Sequence, residues 1–517
     1  MSLPAKPRRV RHLILVFGDQ LNDDSTAFDG FDDAQDAIAM HEVREEASYV
    51  PQHKQRIALF FAAMRHFRDG QRAAGRTVHY RELTDPDNRG NFADEIAERI
   101  RSLQPARLIA VEPGDWRVRE VLRETAKQHG VELELREDEH FLCSREQFES
   151  FAEGRKNLLL EFFYRAERKR LDLMMNGKEP RGGAWNFDKE NRENFGAEGP
   201  GKIRPLRSFP PDALTREVLG MVAREFPDSP GKLEGFDYPV TPADARKALT
   251  DFIEHRLENF GSYQDAMVTG EPFLYHSRLS SSLNLHLLDP REAVTQAIRA
   301  LDDERAPINA VEGFVRQIVG WREYVRGIYC LKMPGYADMN ALNADLEVPG
   351  FMWTAETEMR CMGDAVGQLV DHAYAHHIQR LMVLGLYTMM LGVRPFAVHE
   401  WHMSMYADAI DWVSMPNVVG MSQFGDGGIV GTKPYCATGK YIDRMSDYCK
   451  SCRFDPKKST GDDACPFTTL YWDFLARNRS TLSKVPRMNM QLRNLDRKSK
   501  GELLAIRAAA DGIRRES

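Results

Sequence analysis

Cysteine is scarce in this chain. There are seven in 517 residues, an odd number, and four of them fall in the last eighty-five residues. That clustering favours a metal or cluster site over a disulfide framework. No apolar run approaches the roughly eighteen residues of a membrane span. The N-terminus, MSLPAKPRRVRHLILVFGDQL, is basic and then apolar. Its apolar part, Leu13–Phe17, is too short for a secretory signal, and no small-residue cleavage site follows. A cytoplasmic protein without a membrane partner is expected, as a monomer. No G-x-G-x-x-G and no Walker lysine follow the first strand-like run, so ordinary dinucleotide or nucleoside-triphosphate binding is unsupported. A basic excess is also missing: 70 Lys and Arg against 77 Asp and Glu give −7, which alone speaks against a nucleic-acid partner. The charge is uneven, however. Lys484–Lys500 is rich in Lys and Arg, and Arg8, Arg9 and Arg11 crowd the start. Such runs are ordinarily solvated faces.

At this length two or three domains are expected. Strand-like runs at His12–Phe17, Thr77–Arg81, Arg107–Val111 and Val131–Leu135 alternate with helical patterns at Gln55–Arg72, Phe92–Leu103 and Trp116–His129. That alternation predicts a Rossmann-like parallel sheet over residues 1–142, with any ligand at the carboxyl ends of the strands, near Asp19 and Gln20. Glycine and proline punctuate 143–240, which reads as an interdomain linker. From 241 to 517 the signals are helical, notably Asp244–Asn259, Pro290–Ala300, Asn309–Leu331, Glu356–Leu391, His399–Asp411 and Thr468–Arg477. The fold class is therefore an α/β domain followed by a large all-α domain.

Four constellations carry chemistry. Cys449-Lys-Ser-Cys452, with Cys465-Pro466 after twelve residues, suits an iron–sulfur cluster or a structural zinc. Its fourth ligand could be Cys361, Cys436, Cys330 or a histidine. Gly320-Trp321-Arg322-Glu323-Tyr324 sits on a helical pattern, and upstream Tyr275-His276-Ser277-Arg278-Leu279-Ser280 offers hydroxyls and amides at a helix start, which suit a phosphate. Read singly, these are an N-cap and a packed aromatic helix. The stretch DHAYAHHIQRL places His372 and His376 four apart, on one face of a helix, with His377 and Arg380 beyond. Finally Tyr406-Ala407-Asp408 precedes Asn417 and a glycine-rich Gly425–Gly431.

In this order the motifs resemble the photolyase–cryptochrome family. With the cysteine tail and the stretches EASYVPQHKQRIALFFAAMRHF, NFDKEN and MSQFGDGG, they are similar to its iron–sulfur bacterial branch, the prokaryotic (6-4) photolyases. The resemblance implies a [4Fe–4S] cluster on Cys361, Cys449, Cys452 and Cys465, leaving Cys330, Cys436 and Cys143 as bystanders. It implies FAD held by Ser277, Leu279 and Ser280, by Trp321 and Arg322, and by the Arg380–Asp408 pair, with Asn417 facing flavin N5. The implied activity is light-driven repair of the (6-4) lesion in UV-damaged DNA, with His377 as proton donor and His376 beside it. Animal-type enzymes end their motif H-H-x-x-R-H; here the last position is Leu381, so one active-site histidine is missing. Leu381, Met421 and Tyr435 would line the lesion pocket, with Asp188, Arg192 and Asp265 near DNA or a divalent cation such as Mg²⁺. Trp401 and Trp353 match the branch's electron route, in which His402 stands where tyrosine is usual and is a poorer hole carrier. The antenna implied is 6,7-dimethyl-8-ribityllumazine, near Asp19, Gln20 and Glu46. Two rival readings are a blue-light photoreceptor that regulates gene expression and a DNA-binding scaffold built on a primase-like cluster module.

Overall fold

Short apolar runs covered on both faces make the first region. β1 (His12–Leu15), β2 (Ala37–His41), β3 (Val78–Arg81), β4 (Arg107–Val111) and β5 (Glu132–Arg136) form a parallel sheet in the order β3-β2-β1-β4-β5. The computed structural model describes residues 10–196 and 198–516; Arg8 and Arg9 lie outside them. β2 is a strand the sequence pattern did not reveal. Its run, AIAMH, has a single β-branched residue, yet all five positions are buried. Along β1, β2 and β4 the side chains alternate. Leu13, Leu15, Ala39 and Leu108 pack on Ile96, Ile100 and Leu122, while Ile14, Ile38, Met40 and Ile109 belong with Ile57, Leu59 and Phe61 of helix Lys54–Ala73. Burial on both faces explains why these strands read as continuous apolar runs. Each such Leu or Ile contributes about 1.5–3 kcal/mol.

The segment 143–240 is more than a linker. It holds helices Arg145–Ala152, Leu160–Leu171 and Ala213–Glu225 and a two-stranded ribbon, Met175–Asn176 with Glu179–Pro180. Ser144 and Gln147 form a capping box at the first of these. Ala213–Glu225 returns to the sheet region and packs on Lys54–Ala73 through Val218, Met221 and Val222. Leu160–Leu171 packs instead on the helical region at 316–322.

The helical region departs from the sequence pattern at two kinds of place. The expected helix Glu356–Leu391 is broken: Arg360–His372 ends where Ala373 adopts φ 50°, and the chain resumes at His377. His372 and His376 therefore do not share a helix face, and the metal-grip geometry their spacing offered does not exist. The second departure is three π-helical segments, Arg316–Arg322, Arg380–Gly385 and Pro416–Ser422. Each interrupts a helix bearing one of the chemical motifs, where such bulges commonly re-aim side chains. The last two segments press together at Gly385, where a Cβ would lie 2.1 Å from the Ser422 hydroxyl. Among the described residues, no helix is long and apolar enough to cross a membrane.

Candidate functional site

At the break before His377 the chain gathers its buried polar groups. Arg380 and Asp408 form a two-pronged ion pair, Nη1 to Oδ1 at 3.1 Å and Nη2 to Oδ2 at 3.0 Å. Arg380 Nε also donates to the Ala375 carbonyl at 2.6 Å. The Ser280 hydroxyl donates to Asp408 Oδ2 at 2.5 Å, and Asn284 Nδ2 to the Asp408 carbonyl at 2.8 Å. Burial alone would raise the Asp408 carboxyl; the Arg380 charge and the hydrogen bonds from Arg380 and Ser280 outweigh it and hold it below its ordinary value.

Around this pair several buried polar atoms have no partner: Ser281 Oγ, Ser282 Oγ, His276 Nε2, both ring nitrogens of His376, and the Tyr406 hydroxyl. The rings of His276 and His376 stack, with centroids 4.4 Å apart and 13° between planes. Burial keeps both neutral, His276 at about 3 and His376 well below the usual imidazole range. Such groups cost roughly 1–3 kcal/mol each when left unmatched, so the arrangement calls for a polar ligand. His377 is different. Its side chain is exposed, yet desolvation by the surrounding protein and then the Arg380 charge push it down to about 4. Ser277 accepts from the Leu279 N–H at 3.3 Å, and Arg278 between them takes φ 54°. The helix they start, Ser280–Asn284, is only five residues long. Its hydroxyls, more than its dipole, are the groups available to an anion.

The W-R-E-Y residues sit in a separate nest. Arg322 pairs with Glu323 at 2.9 Å and lies 4.1 Å from the Phe141 ring and 5.2 Å from that of Trp412. Glu323 accepts from the Leu142 and Cys143 amides, so this pair clamps the end of the sheet region to the helical one. Trp321 packs edge-on to Tyr324 at 6.2 Å. Asn417 donates to the Val413 carbonyl of its own helix at 2.8 Å. Trp401 is buried, and its indole N–H donates at 3.1 Å to the carbonyl of Met352, the neighbour of Trp353. Tyr406 bridges from that tryptophan to the ion pair. Its ring lies 5.8 Å from Trp401 and 4.1 Å from His402, with the Arg380 guanidinium 4.2 Å above it. The sequence quoted Tyr406 without giving it a role.

Cys361, Cys449, Cys452 and Cys465 come together from three chain segments. Burial, then the neighbouring Cys465, Cys449 and Cys452, raises the Cys361 thiol well above its usual range. Gly439 makes room for them, since a Cβ there would meet Cys465 Sγ at 2.7 Å. Among the described residues no three His, Cys, Asp or Glu side chains are arranged to hold a single metal ion. Cys143 and Cys330 instead line a small cavity near Arg326.

The expected DNA-facing residues also assemble. Asp188 pairs with Arg316 and feels Arg192. Burial pushes Asp265 up to about 6, with Arg192 opposing and Asp188 reinforcing the rise. Tyr435 is within reach of Arg487, Asp188 and Arg192. Leu381 and Met421 are buried in the main core.

A cavity opens at the carboxyl ends of β1, β2 and β4, where an open sheet places its ligand. Phe17, Tyr49, Phe60 and Phe92 give it aromatic walls, and Asp19, Glu46, Asp115 and Asp411 its acids. Asp19 and Glu46 were expected there. Gln20 was too, but its amide turns away and donates to the Glu112 carbonyl at 3.1 Å. Arg56, missed by sequence reasoning, contributes Nε and Nη1 atoms that are buried and unpartnered. Desolvation raises both Asp19 and Glu46 to about 7.

Residues 14–238 match the family model described as deoxyribodipyrimidine photo-lyase-related protein. Over 505 residues, 98% of this chain and 99% of the relative, the sequence is 48% identical to a (6-4) photolyase of Agrobacterium fabrum. A crystal structure of a bacterial class III photolyase from Agrobacterium tumefaciens superposes with a TM-score of 0.55 at 14% identity, covering 99% of this chain and 100% of that one. A cryptochrome of Synechocystis sp. PCC6803 follows at 0.54 and 13%, covering 88% and 92%. At those identities the structural likeness speaks for the fold.

Proposed function

The chain belongs to the photolyase–cryptochrome family, in the branch of the (6-4) photolyase it matches over nearly its whole length, and we propose that it repairs (6-4) photoproducts in DNA with light. Membership brings FAD as the bound flavin. The residues around the ion pair fit it: two serine hydroxyls, two imidazoles and a phenol, all buried and unmatched, offer hydrogen bonds to phosphate, ribityl and ring atoms. When bound and reduced, the flavin supplies an electron to the lesion on illumination. Arg380 holds a fixed positive charge where the flavin's anionic form would lie, and Asp408 fixes the orientation of that charge. Trp401 and Trp353, with Tyr406 ahead of them, offer a route for electrons returning to the flavin.

His377 has the place of the acid. Its imidazole is neutral at physiological pH, because desolvation and Arg380 both disfavour its charge. His377 would be raised toward the range a general acid needs by negative charge bound beside it, such as an anionic flavin or DNA phosphates would supply. His376 is too deeply buried for the same task and serves as a binding or positioning group. Asp265, its charge disfavoured by burial and by Asp188, stands near Asp188, which Arg316 keeps charged, and the two suit a divalent cation at the DNA face.

The four gathered cysteines suit a [4Fe–4S] cluster, which is held by Cys thiolates and which the family's iron–sulfur branch carries. The sheet cavity suits 6,7-dimethyl-8-ribityllumazine: aromatic walls for the ring system, Arg56 donors for its carbonyls, and Asp19, Glu46 and Asp115 as acceptors for ribityl hydroxyls.

The observation that carries the repair reading is the convergence of His377 with the Arg380–Asp408 pair beside a set of buried, unmatched polar groups. The test is side-by-side quantification of (6-4) and cyclobutane lesions in DNA under blue light with the reduced protein. Loss of the (6-4) lesion alone is expected; no loss of it, or preferential loss of the cyclobutane dimer, would overturn the reading.

A further inference from the structure

The helical run that starts at His377 and carries Arg380 is cut off from the helix before it, because Arg360–His372 stops at the left-handed Ala373. What fixes the restart is a buried set of side-chain hydrogen bonds centred on Gln379. Its Oε1 accepts from the His376 N–H at 3.2 Å and from Gln368 Nε2 at 2.5 Å. Its Nε2 donates to Gln368 Oε1 at 3.0 Å and to the Tyr448 hydroxyl at 3.1 Å. That hydroxyl donates onward to Asp364 Oδ1 at 3.1 Å. Gln379 and Tyr448 are fully buried, so all these groups must be satisfied inside the protein, and the amide of Gln379 is satisfied on both atoms.

The far ends of this network belong to the cysteine cradle. Asp364 and Gln368 lie on the helix that carries Cys361, and Tyr448 is the residue before Cys449. The near end is the backbone N–H of His376, next to the acid. An apolar side chain would pack this core without needing four matched bonds; an amide bonded on both sides holds one orientation and rejects others.

We propose that Gln379 is a positioning residue that ties the start of the His377–Arg380 segment to the two segments bearing Cys361 and Cys449, so that the cysteine cradle sets where the acid points. The proposal rests on His377 being that acid. It gives the cluster region a task at the lesion pocket without any electron passing between them.

The test uses the full-length holoprotein with Gln379→Met and Tyr448→Phe, each first assayed for flavin, iron and acid-labile sulfide. Diethyl pyrocarbonate, which acylates neutral imidazoles, then reports the setting of His377 by peptide mass, with the exposed His129 as internal reference. At wild-type cofactor content the acylation ratio of His377 to His129 should change at least threefold in Gln379→Met, and in the same direction but less in Tyr448→Phe. Repair at saturating lesion should slow in the same order while affinity for lesion DNA holds. A wild-type acylation ratio in variants that keep their iron and flavin would overturn the proposal. If Gln379→Met does not fold, Tyr448→Phe decides alone, since it removes one oxygen and keeps the ring's packing. Wild-type protein that repairs no (6-4) lesion would remove the proposed function yet leave the acylation ratio to decide the positioning role.

Discussion

Asp19 and Asp408 are both desolvated carboxylates at ligand-sized sites, and the protein treats them in opposite ways. Asp408 has a guanidinium on both oxygens and a serine hydroxyl besides, and stays below its ordinary pKa. Asp19 has no such partner. Burial raises it to about 7, Asp138 and Asp115 add to the rise, and Arg56 only partly opposes it. Glu46 follows the same course for the same first cause. A desolvated carboxylate keeps its charge only where a cation and hydrogen bonds together outweigh the burial, as at Asp408; Glu46, with Arg117 3.4 Å away, is still raised. The helical site should therefore keep its charge state across the physiological range, while the sheet cavity changes near neutrality.

The largest effect should come from breaking the pair. Asp408→Asn leaves Arg380 buried without its counter-charge, at a cost of about 3–5 kcal/mol. Flavin binding should weaken by roughly 10²- to 10³-fold, read as flavin absorbance per protein after gel filtration. Stoichiometric flavin in that variant would show that the pair is incidental to the cofactor. Next comes His377→Ala, which removes a group at the cavity surface and leaves the pair whole. Repair should fall by about 100-fold or more with flavin content unchanged. Repair at the wild-type rate would take the acid role from His377.

The cavity offers the middle-sized effect, and its sign follows from the direction of the shift. Because Asp19 sits near 7 in the folded chain against an ordinary 3.8, the native state holds a proton that the unfolded state releases. Its contribution to stability thus falls as pH rises from about 4 to 7 and is flat above. Asp19→Asn cannot titrate. The variant should gain stability over the parent by about 1 kcal/mol near pH 8 and much less near pH 5. Thermal melts of protein without antenna would show it. An equal gain at both pH values would mean that the carboxylate's charge is not the cause.

What the sequence disclosed of these two sites follows their construction. The ion pair and the cysteines were legible because the resemblance lay in motif order, and short motifs such as H-H-x-x-R and C-x₂-C keep their spacing through the chain. The cavity was only half legible. Asp19 precedes Gln20, and sequence treats neighbours alike, but the loop after β1 sends one side chain into the cavity and the other to the Glu112 carbonyl. Arg56 and Asp115 come from other segments, so nothing local joins them to Asp19. The break at Ala373 was hidden because a left-handed alanine replaces the glycine or proline that would announce a stop. β2 was hidden by its alanines, and Gln379 because a lone glutamine in an apolar helix carries no pattern.

The smallest effect concerns a net charge of −7 that does not describe the surface DNA would meet. On the helical side Arg192, Arg444 and Arg487 gather about Tyr435 and Tyr441, while the sheet cavity is ringed by acids. If the two faces divide the work in this way, DNA should approach only the first. Arg192→Ala should then weaken binding to damaged and undamaged duplex by a similar factor, about threefold to tenfold. It should also reduce by about one the slope of log affinity against log salt, since one fewer counterion is released. A slope unchanged in that variant would place the phosphate contacts elsewhere. Loss confined to damaged DNA would make Arg192 a reader of the lesion, working with Asp188 and Asp265 at the pocket instead of along the backbone.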